Sequence, residues 1–417
     1  MERGPTSLME EARLRGEFAD WHNLLYQVWW LTGSVDIASL RDAWWRVCLR
    51  HDAMRRTYDS PEEAHTHSDT LSDVEHHSAD TDAEAIEIMR ECLGIPFDLS
   101  GPSFARIILV QRSDRRHLLG IAVDHIISDQ VSWSGLRRDF TELYERALAG
   151  DAGEVAESGT YRIFASQMRQ DFSGAWGQER REFWRSYTAD LGTFPPVFSI
   201  RQQHTGEPVM TVLERELPED ARTRVHACAR RARATPFAVI ASGVLGGMQE
   251  LSGDQVAGLT FHHHGRFAPS SYRTLGLFTQ AVPLHLRGAS GSRLDTVHDV
   301  FLRSLQVSDH ILPLRIAGDA WSEDLMSLDR ASGVFLGLEE AGSSPPHMRF
   351  AGTSAQAVEL VFDGGARAQD TIVIAWDLHE ARPQVTATYN KKAFSPSAVN
   401  QLLQAAITRV DETFGES

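Results

Sequence analysis

The stretch Leu118–Trp133, LLGIAVDHIISDQVSW, limits the fold more than any other part of the chain. Leu118, Leu119, Ile121 and Val123 form an apolar run with few polar interruptions, the pattern of a buried strand. The run ends at Asp124-His125 and passes through Ile126-Ile127-Ser128. At Asp129 a helical pattern begins, carried by Trp133, Leu136, Phe140, Leu143 and Ala147, with Gly150 as its stop signal. A histidine at the mouth of a strand, four residues before a carboxylate, suits acid–base chemistry. A core strand whose last residues are polar explains the same pattern, and the spacing alone leaves both readings open.

Strands and helices alternate on either side of this stretch. LYQVWWLT (25–32) predicts a strand, and Asp36 caps a helix with Leu40, Trp44 and Val47 on one face. Residues 59–81 are acidic and histidine-rich without periodicity, which predicts an exposed, mobile excursion. A helix after Asp82 carries Ile86, Met89 and Leu93. PFDLSGP then makes a turn into the strand FARIILVQ, with a hairpin at Ser113-Asp114. Further on, QERREFWRSYTADL and the apolar run from Thr235 to Leu251 predict helices, the second with Pro236 in its first turn. DQVAGLTF predicts a strand and HHHGRFAPSSYRT a long surface loop. LGLFTQAVPLHLR, 371–378 and 384–389 are extended, and Ser395-Pro396 opens a closing amphipathic helix. The pattern implies an α/β sandwich in two halves of similar size that meet within 165–179.

Composition narrows the function. A net charge of -16 over 417 residues argues against a nucleic-acid footprint. No apolar run approaches a membrane span, and MERGPTSLMEEARLRGEF lacks the apolar core of a signal peptide. Cys48, Cys92 and Cys228 lie far apart without metal spacing and suit reduced, buried thiols of a cytoplasmic protein. GxxxxGK[ST], GxGxxG and GxSxG signatures are absent. His65, His67, His76 and His77, and the triplet His262 to His264, fall on expected loops without a rigid ligand framework. Both groups are expected to be solvated, with no metal bound. Arg222 to Arg233 is expected to be a solvated helix face.

DHIISDQVSW resembles the HHxxxDG segment of the condensation domains of nonribosomal peptide synthetases, in the chloramphenicol acetyltransferase-like superfamily. The likeness extends along nearly the whole chain in order. RHDAMRRTY is similar to RHExLRTxF, and PFDLSGPSFARIIL resembles the lead into the active-site strand. YRIFASQ echoes YxDFAxW, and LGLFTQAVPLHLR resembles IGxFVNTxxxR. EFWRSYTADL, TPFAVIASGVLGGMQELSG and TATYNKKAFSPSAVNQLLQ also fit. The resemblance implies two acyltransferase-like lobes, 1–175 and 176–417, in a V-shaped pseudo-dimer with a central tunnel. It maps His125 onto the functional histidine, Asp129 onto the structural aspartate, and Arg287 onto the arginine that pairs with that aspartate.

Three departures accompany the match. The first family histidine is Asp124, the closing glycine is Gln130, and the N-terminal SxAQxRLW pattern is largely missing. Strand alternation puts Asp124 and His125 on opposite faces, so Asp124 is expected to support the loop and leave the base intact. An aspartate at this place is also found in the dihydrolipoamide acyltransferases of the same superfamily. Gln130 is expected to narrow the tunnel or alter the turn. Ser132-Trp133, His264 to Arg266 and Arg273 to Thr279 resemble motifs of epimerization domains, but the glutamate those enzymes carry before HGR is His262.

The function implied is that of a freestanding condensation enzyme. It would pass an acyl or aminoacyl group from a phosphopantetheine thioester on a carrier protein, or from coenzyme A, to an amine or hydroxyl. No permanently bound cofactor is expected, and no nucleic-acid or membrane partner. The alternative is a non-catalytic condensation-like module that recruits a carrier or partner protein. An epimerase is the lesser reading.

Overall fold

The computed structural model describes residues 2–15, 23–69, 72–151, 153, 155–156, 160–191, 208–288, 291–312, 333–339, 350–360, 371–379 and 382–415. Its contacts divide the chain into two units. The first takes Met1–Gly174, His264–Thr279 and Pro345–Gly365, and the second takes Ala175–His263, Gln280–Ser344 and Ala366–Ser417. The first break lies beside the expected 175/176 boundary, while two later stretches join the first unit. Strand pairing accounts for one of them, and the polar contacts of Asp129 account for the other.

In chain order the first unit has β1 (Glu2–Pro5), α1 (Leu8–Leu14), β2 (Leu24–Gly33), α2 (Ile37–Arg50), β3 (Arg56–Ser60) and β4 (Glu63–Thr66). There follow β5 (Val74–Ser78), α3 (Asp82–Leu93), β6 (Ala105–Ser113), β7 (Arg116–Asp124), α4 (Gln130–Leu148) and α5 (Tyr161–Ser173). The second unit has α6 (Ala175–Leu191), β8 (Met210–Glu216), α7 (Ala221–Arg231), α8 (Pro236–Ser252), β9 (Val256–His263), β10 (Gln280–Arg287), α9 (Arg293–Asp309) and β11 (Val334–Glu339). β12 (Thr353–Val358) belongs to the first unit, and β13 (Ile372–Asp377), β14 (Gln384–Asn390) and α10 (Pro396–Phe414) to the second.

The first unit's main sheet has the order β12-β2-β7-β6-β5, antiparallel throughout except for the parallel β6–β5 pair. β7 lies in its middle and is buried from His117 to Asp124. Period-two alternation sends Leu119, Ile121 and Val123 into one core with α2 and α4. Leu118 and Ala122 face a second core with Met89 and Leu93 of α3. Gly120 lies on the α3 face, where a Cβ would come within 2.3 Å of the Met89 sulfur. A glycine there lets helix and strand approach closely.

Residues 59–81 depart from the sequence expectation. β3 and β4 pair in a hairpin, β1 adds to it, and β5 runs parallel to β6. His65 meets Asp59 at 2.6 Å, and His67 meets Thr57 at 2.9 Å. Short strands that borrow partners from distant sequence leave no long-range periodicity to read.

The second unit is a six-stranded mixed sheet ordered β10-β9-β11-β13-β14-β8. Its helix α8 packs closely on α10, with Gly243 and Gly247 against Val410 and Ala405–Ala406. No helix among the described residues is long and apolar enough to cross a membrane. His285, on β10, is fully buried beside Tyr187, whose hydroxyl lies 3.3 Å from its Nδ1. A side chain at Gly258 would collide with the imidazole.

Burial, reinforced by the charge of Arg303, pushes the His285 imidazole down to about 3 from its usual 6.5. The unfolded chain therefore takes up a proton below pH 6.5 that the folded chain refuses, and stability falls as pH drops through that window. Each such histidine contributes a slope of up to about 1.4 kcal/mol per pH unit. His285→Phe is expected to flatten the loss of stability between pH 6.5 and 5, as read from urea unfolding. An unchanged slope would contradict a neutral buried ring.

Candidate active site

The chain leaves β7 at Asp124 and makes one 3-10 turn, His125–Ile127, before α4 begins. The Asp124 carboxylate caps that turn. Its Oδ1 accepts from the Ile126 N–H at 2.8 Å, and its Oδ2 meets Nη2 of Arg13, from α1, at 3.0 Å. Both side chains are buried. Burial pushes the Asp124 carboxyl up from its ordinary value, against the Arg13 guanidinium and the Ile126 N–H, which favour the charged form. Asp124 thus ties the turn to the N-terminal helix.

His125 donates its backbone N–H to the Asn23 carbonyl at 2.7 Å, and its side chain is only partly exposed. Burial lowers the imidazole pKa from its usual value. A hydrogen bond to the residue's own carbonyl and the charges of Asp129 and Asp124 oppose the shift, and Arg13 adds to it. A neutral imidazole is able to accept a proton.

Asp129 is the N-cap of α4 and is fully buried. Its Oδ1 accepts from the Ser132 N–H at 2.8 Å. Oδ2 accepts from Arg266 Nη1 at 2.5 Å and from the Phe278 N–H at 3.1 Å. The expected pairing with Arg287 is corrected here: the arginine on Asp129 is Arg266. Arg287 is the exposed last residue of β10, opposite Val256, in the second unit.

Arg266 is suited to the task. Its Nε donates to Ser271 O, its Nη1 to Asp129 and His264 O, and its Nη2 to Ser132 Oγ and Thr274 O. All five guanidinium donors have an acceptor, and the group lies 3.9 Å over the Phe278 ring. The loop expected on the surface therefore has a buried anchor. Ser132 Oγ also donates to Gly276 O and accepts from the Gly276 N–H. Gly265 has φ +64°, and a Cβ there would lie 2.0 Å from Phe278 O, so the HGR turn requires glycine. The signal that could have identified Arg266 was the HGR tripeptide, which sequence reasoning associated with another chemistry.

Gln130 is the exposed first residue of α4. Arg233 is the one non-glycine residue with positive φ among those described, so the helix starts at 130 without left-handed backbone. Behind the turn, Asp52 of RHDAMRRTY accepts from the Tyr161 and Arg162 N–H groups at 2.8 and 3.0 Å and caps α5. Tyr161 in turn donates its hydroxyl to Leu277 O at 2.6 Å. Ser7 and Glu10 form a capping box on α1, and Glu10 holds Arg56 and Tyr58 at 2.8 Å each. The N-terminal helix, whose family pattern is largely missing, is thus tied to the turn through Arg13 and Asp124 and to β3 through Glu10.

Residues 23–313 match the family profile of the condensation domain. The chain is 30% identical over 179 residues to a bassianolide nonribosomal cyclodepsipeptide synthetase of Beauveria bassiana, a match covering 41% of this chain and 6% of that synthetase. The chain thus corresponds to a small part of the curated relatives it matches. Among solved structures it is similar to the condensation domain of the monacolin K polyketide synthase MokA, with TM-score 0.77 and 13% identity over 99% of this chain and 98% of that one. It is also similar to the X-domain of teicoplanin biosynthesis in complex with OxyB, with TM-score 0.83 and 17% identity over 100% of this chain and 94% of that one. These structures share the α/β, chloramphenicol acetyltransferase-like fold.

Arg266→Met is expected to lower the unfolding free energy by roughly 3–5 kcal/mol, because it strands the Asp129 carboxylate in the core. Asp129→Asn together with Arg266→Met is expected to cost clearly less than the sum of the single changes. Urea unfolding of the four proteins measures the coupling, and strict additivity would mean that the two groups do not interact.

Proposed function

The chain belongs to the condensation-domain family, and on that premise we propose that it is an acyltransferase in which His125 is the base. Condensation domains work on thioesters bound to carrier proteins. The donor proposed is an acyl or aminoacyl group on a phosphopantetheine arm, with coenzyme A as the simpler carrier of the same arm. The acceptor is an amine or a hydroxyl, and the product an amide or ester.

The observation that carries this reading is the state of His125. Its main chain is fixed at the mouth of β7, and burial favours the neutral ring that a base requires. The acceptor gives its N–H or O–H hydrogen to the imidazole as it attacks the thioester carbonyl carbon, forming a C–N or C–O bond. The C–S bond of the tetrahedral intermediate then breaks, and the leaving sulfur takes the proton from the imidazolium. A free thiol departs and the neutral imidazole is restored. A positioned base contributes on the order of a hundredfold to ten-thousandfold, and holding both substrates in place contributes more. Asp124, Asp129, Arg266 and Gln130 have no reacting atom in this scheme. The first three hold the turn that carries His125.

A second reading, a non-catalytic module that recruits a carrier or partner protein, is favoured by Asp124 and Gln130 at two motif positions. The likeness to an X-domain solved in complex with OxyB also favours it. Binding of a carrier without turnover across a broad panel of loaded carriers and acceptors would select this reading.

His125→Ala is expected to reduce product formation from a loaded carrier by about 10²- to 10⁴-fold, and retained turnover would remove the base assignment. Because burial holds the imidazole below its usual 6.5, the acid limb of kcat/KM is expected to fall below pH 6.5. A limb above that value would contradict a desolvated base.

A further inference from the structure

On the far edge of the first unit's sheet, three metal-binding side chains converge outside the site described above. Glu75 and His77 occupy alternate positions of β5, so both point to the same side of the strand. Cys92 comes from the last turn of α3. His77 Nε2 lies 3.8 Å from Cys92 Sγ and 3.7 Å from Glu75 Oε2, and one donor atom of each residue lies within 4.8 Å of the other two. Around tetrahedral zinc, bond lengths of about 2.3 Å to sulfur and about 2.0–2.2 Å to nitrogen and oxygen set neighbouring donors roughly 3.3–3.6 Å apart. The two His77 contacts need a few tenths of an ångström of contraction to reach that spacing, and the Glu75 and Cys92 donors, within 4.8 Å of each other, close the third side as an ion draws them in.

We infer that Glu75, His77 and Cys92 form a binding site for zinc or a divalent transition metal of the same donor preference, with a fourth position open to water. Three features support the donor set. Thiolate, imidazole and carboxylate are the ligands zinc takes. Glu75 is exposed and Cys92 half-buried, which gives an ion an entry path. Arg106, the neighbouring cation whose charge reaches Cys92 and Glu75, directs its hydrogen bonds to carbonyls. Its Nη1 donates to the Cys92 and Ile95 carbonyls at 3.0 and 2.8 Å, and its guanidinium lies 4.5 Å over the Phe97 ring.

The ion would link β5, paired among the described residues only with β6, to the helix that covers the sheet. Anything that binds the folded chain alone stabilises it by mass action. The acyl-transfer reading has no part in this site, and either can fail without the other.

The test uses the full chain stripped of metal and titrated with Co²⁺ and then Zn²⁺. One thiolate-to-cobalt charge-transfer band saturating at one ion per chain, bleached by Zn²⁺, is expected, with a Zn²⁺-dependent rise in the unfolding midpoint. Cys92→Ser is expected to abolish the band and the rise, while the buried Cys48 and Cys228 remain. His77→Ala is expected to weaken Zn²⁺ at least about tenfold. Glu75→Gln, at an exposed position, gives a third readout of Zn²⁺ affinity and guards against a misfolded variant. No cobalt–thiolate band, or a Zn²⁺ affinity unchanged in all three variants, would overturn the inference.

Discussion

The buried pair Asp129–Arg266 is the interaction on which the first unit depends. An ionised carboxylate and a guanidinium removed from water cost several kcal/mol each unless every donor and lone pair finds a partner. Here that condition is met: Asp129 caps α4 and receives Arg266 and the Phe278 N–H, while Arg266 distributes its five donors over five acceptors. Such a network tolerates one geometry. It pins residues 264–279 to the start of α4, and with them the turn that presents His125.

The catalytic assignment proposed for His125 therefore rests on scaffolding of two kinds. β7 is apolar on both faces and supplies rigidity, because neither core can move without displacing the strand. The polar residues at its mouth supply direction. Asp124 closes the 3-10 turn and anchors it to Arg13, and Asp129 fixes the helix that follows. Replacing a histidine by Asp124 thus leaves a charge that is matched by Arg13 and put to structural use. The zinc site inferred at β5 and α3 has the same logic in miniature, with polar side chains tying an edge strand to its covering helix.

Periodicity revealed the elements whose patterns are local. The strand through Leu118–Val123, the helix from Asp129 and the apolar helix after Thr235 all appear where the sequence predicts them. Residues 59–81 show the limit, since β4 and β5 take their register from β1, β3 and β6 and carry too few residues for a pattern. HHHGRFAPSSYRT shows it again. A loop rich in polar and turn residues is expected on the surface, and only the acceptors brought around it make a buried arginine affordable.

By itself the sequence determined the α/β class, the strand–turn–helix that carries His125, and the identity of Asp129 as the residue starting the helix. These follow from hydrophobic period and capping chemistry, both of which act over a few residues. The tertiary structure alone decided which arginine meets Asp129, that Asp124 faces Arg13, and that Glu75 and His77 lie against Cys92. Each of those pairs joins residues that are remote in sequence. Their meeting depends on sheet register and loop return, for which no local pattern exists.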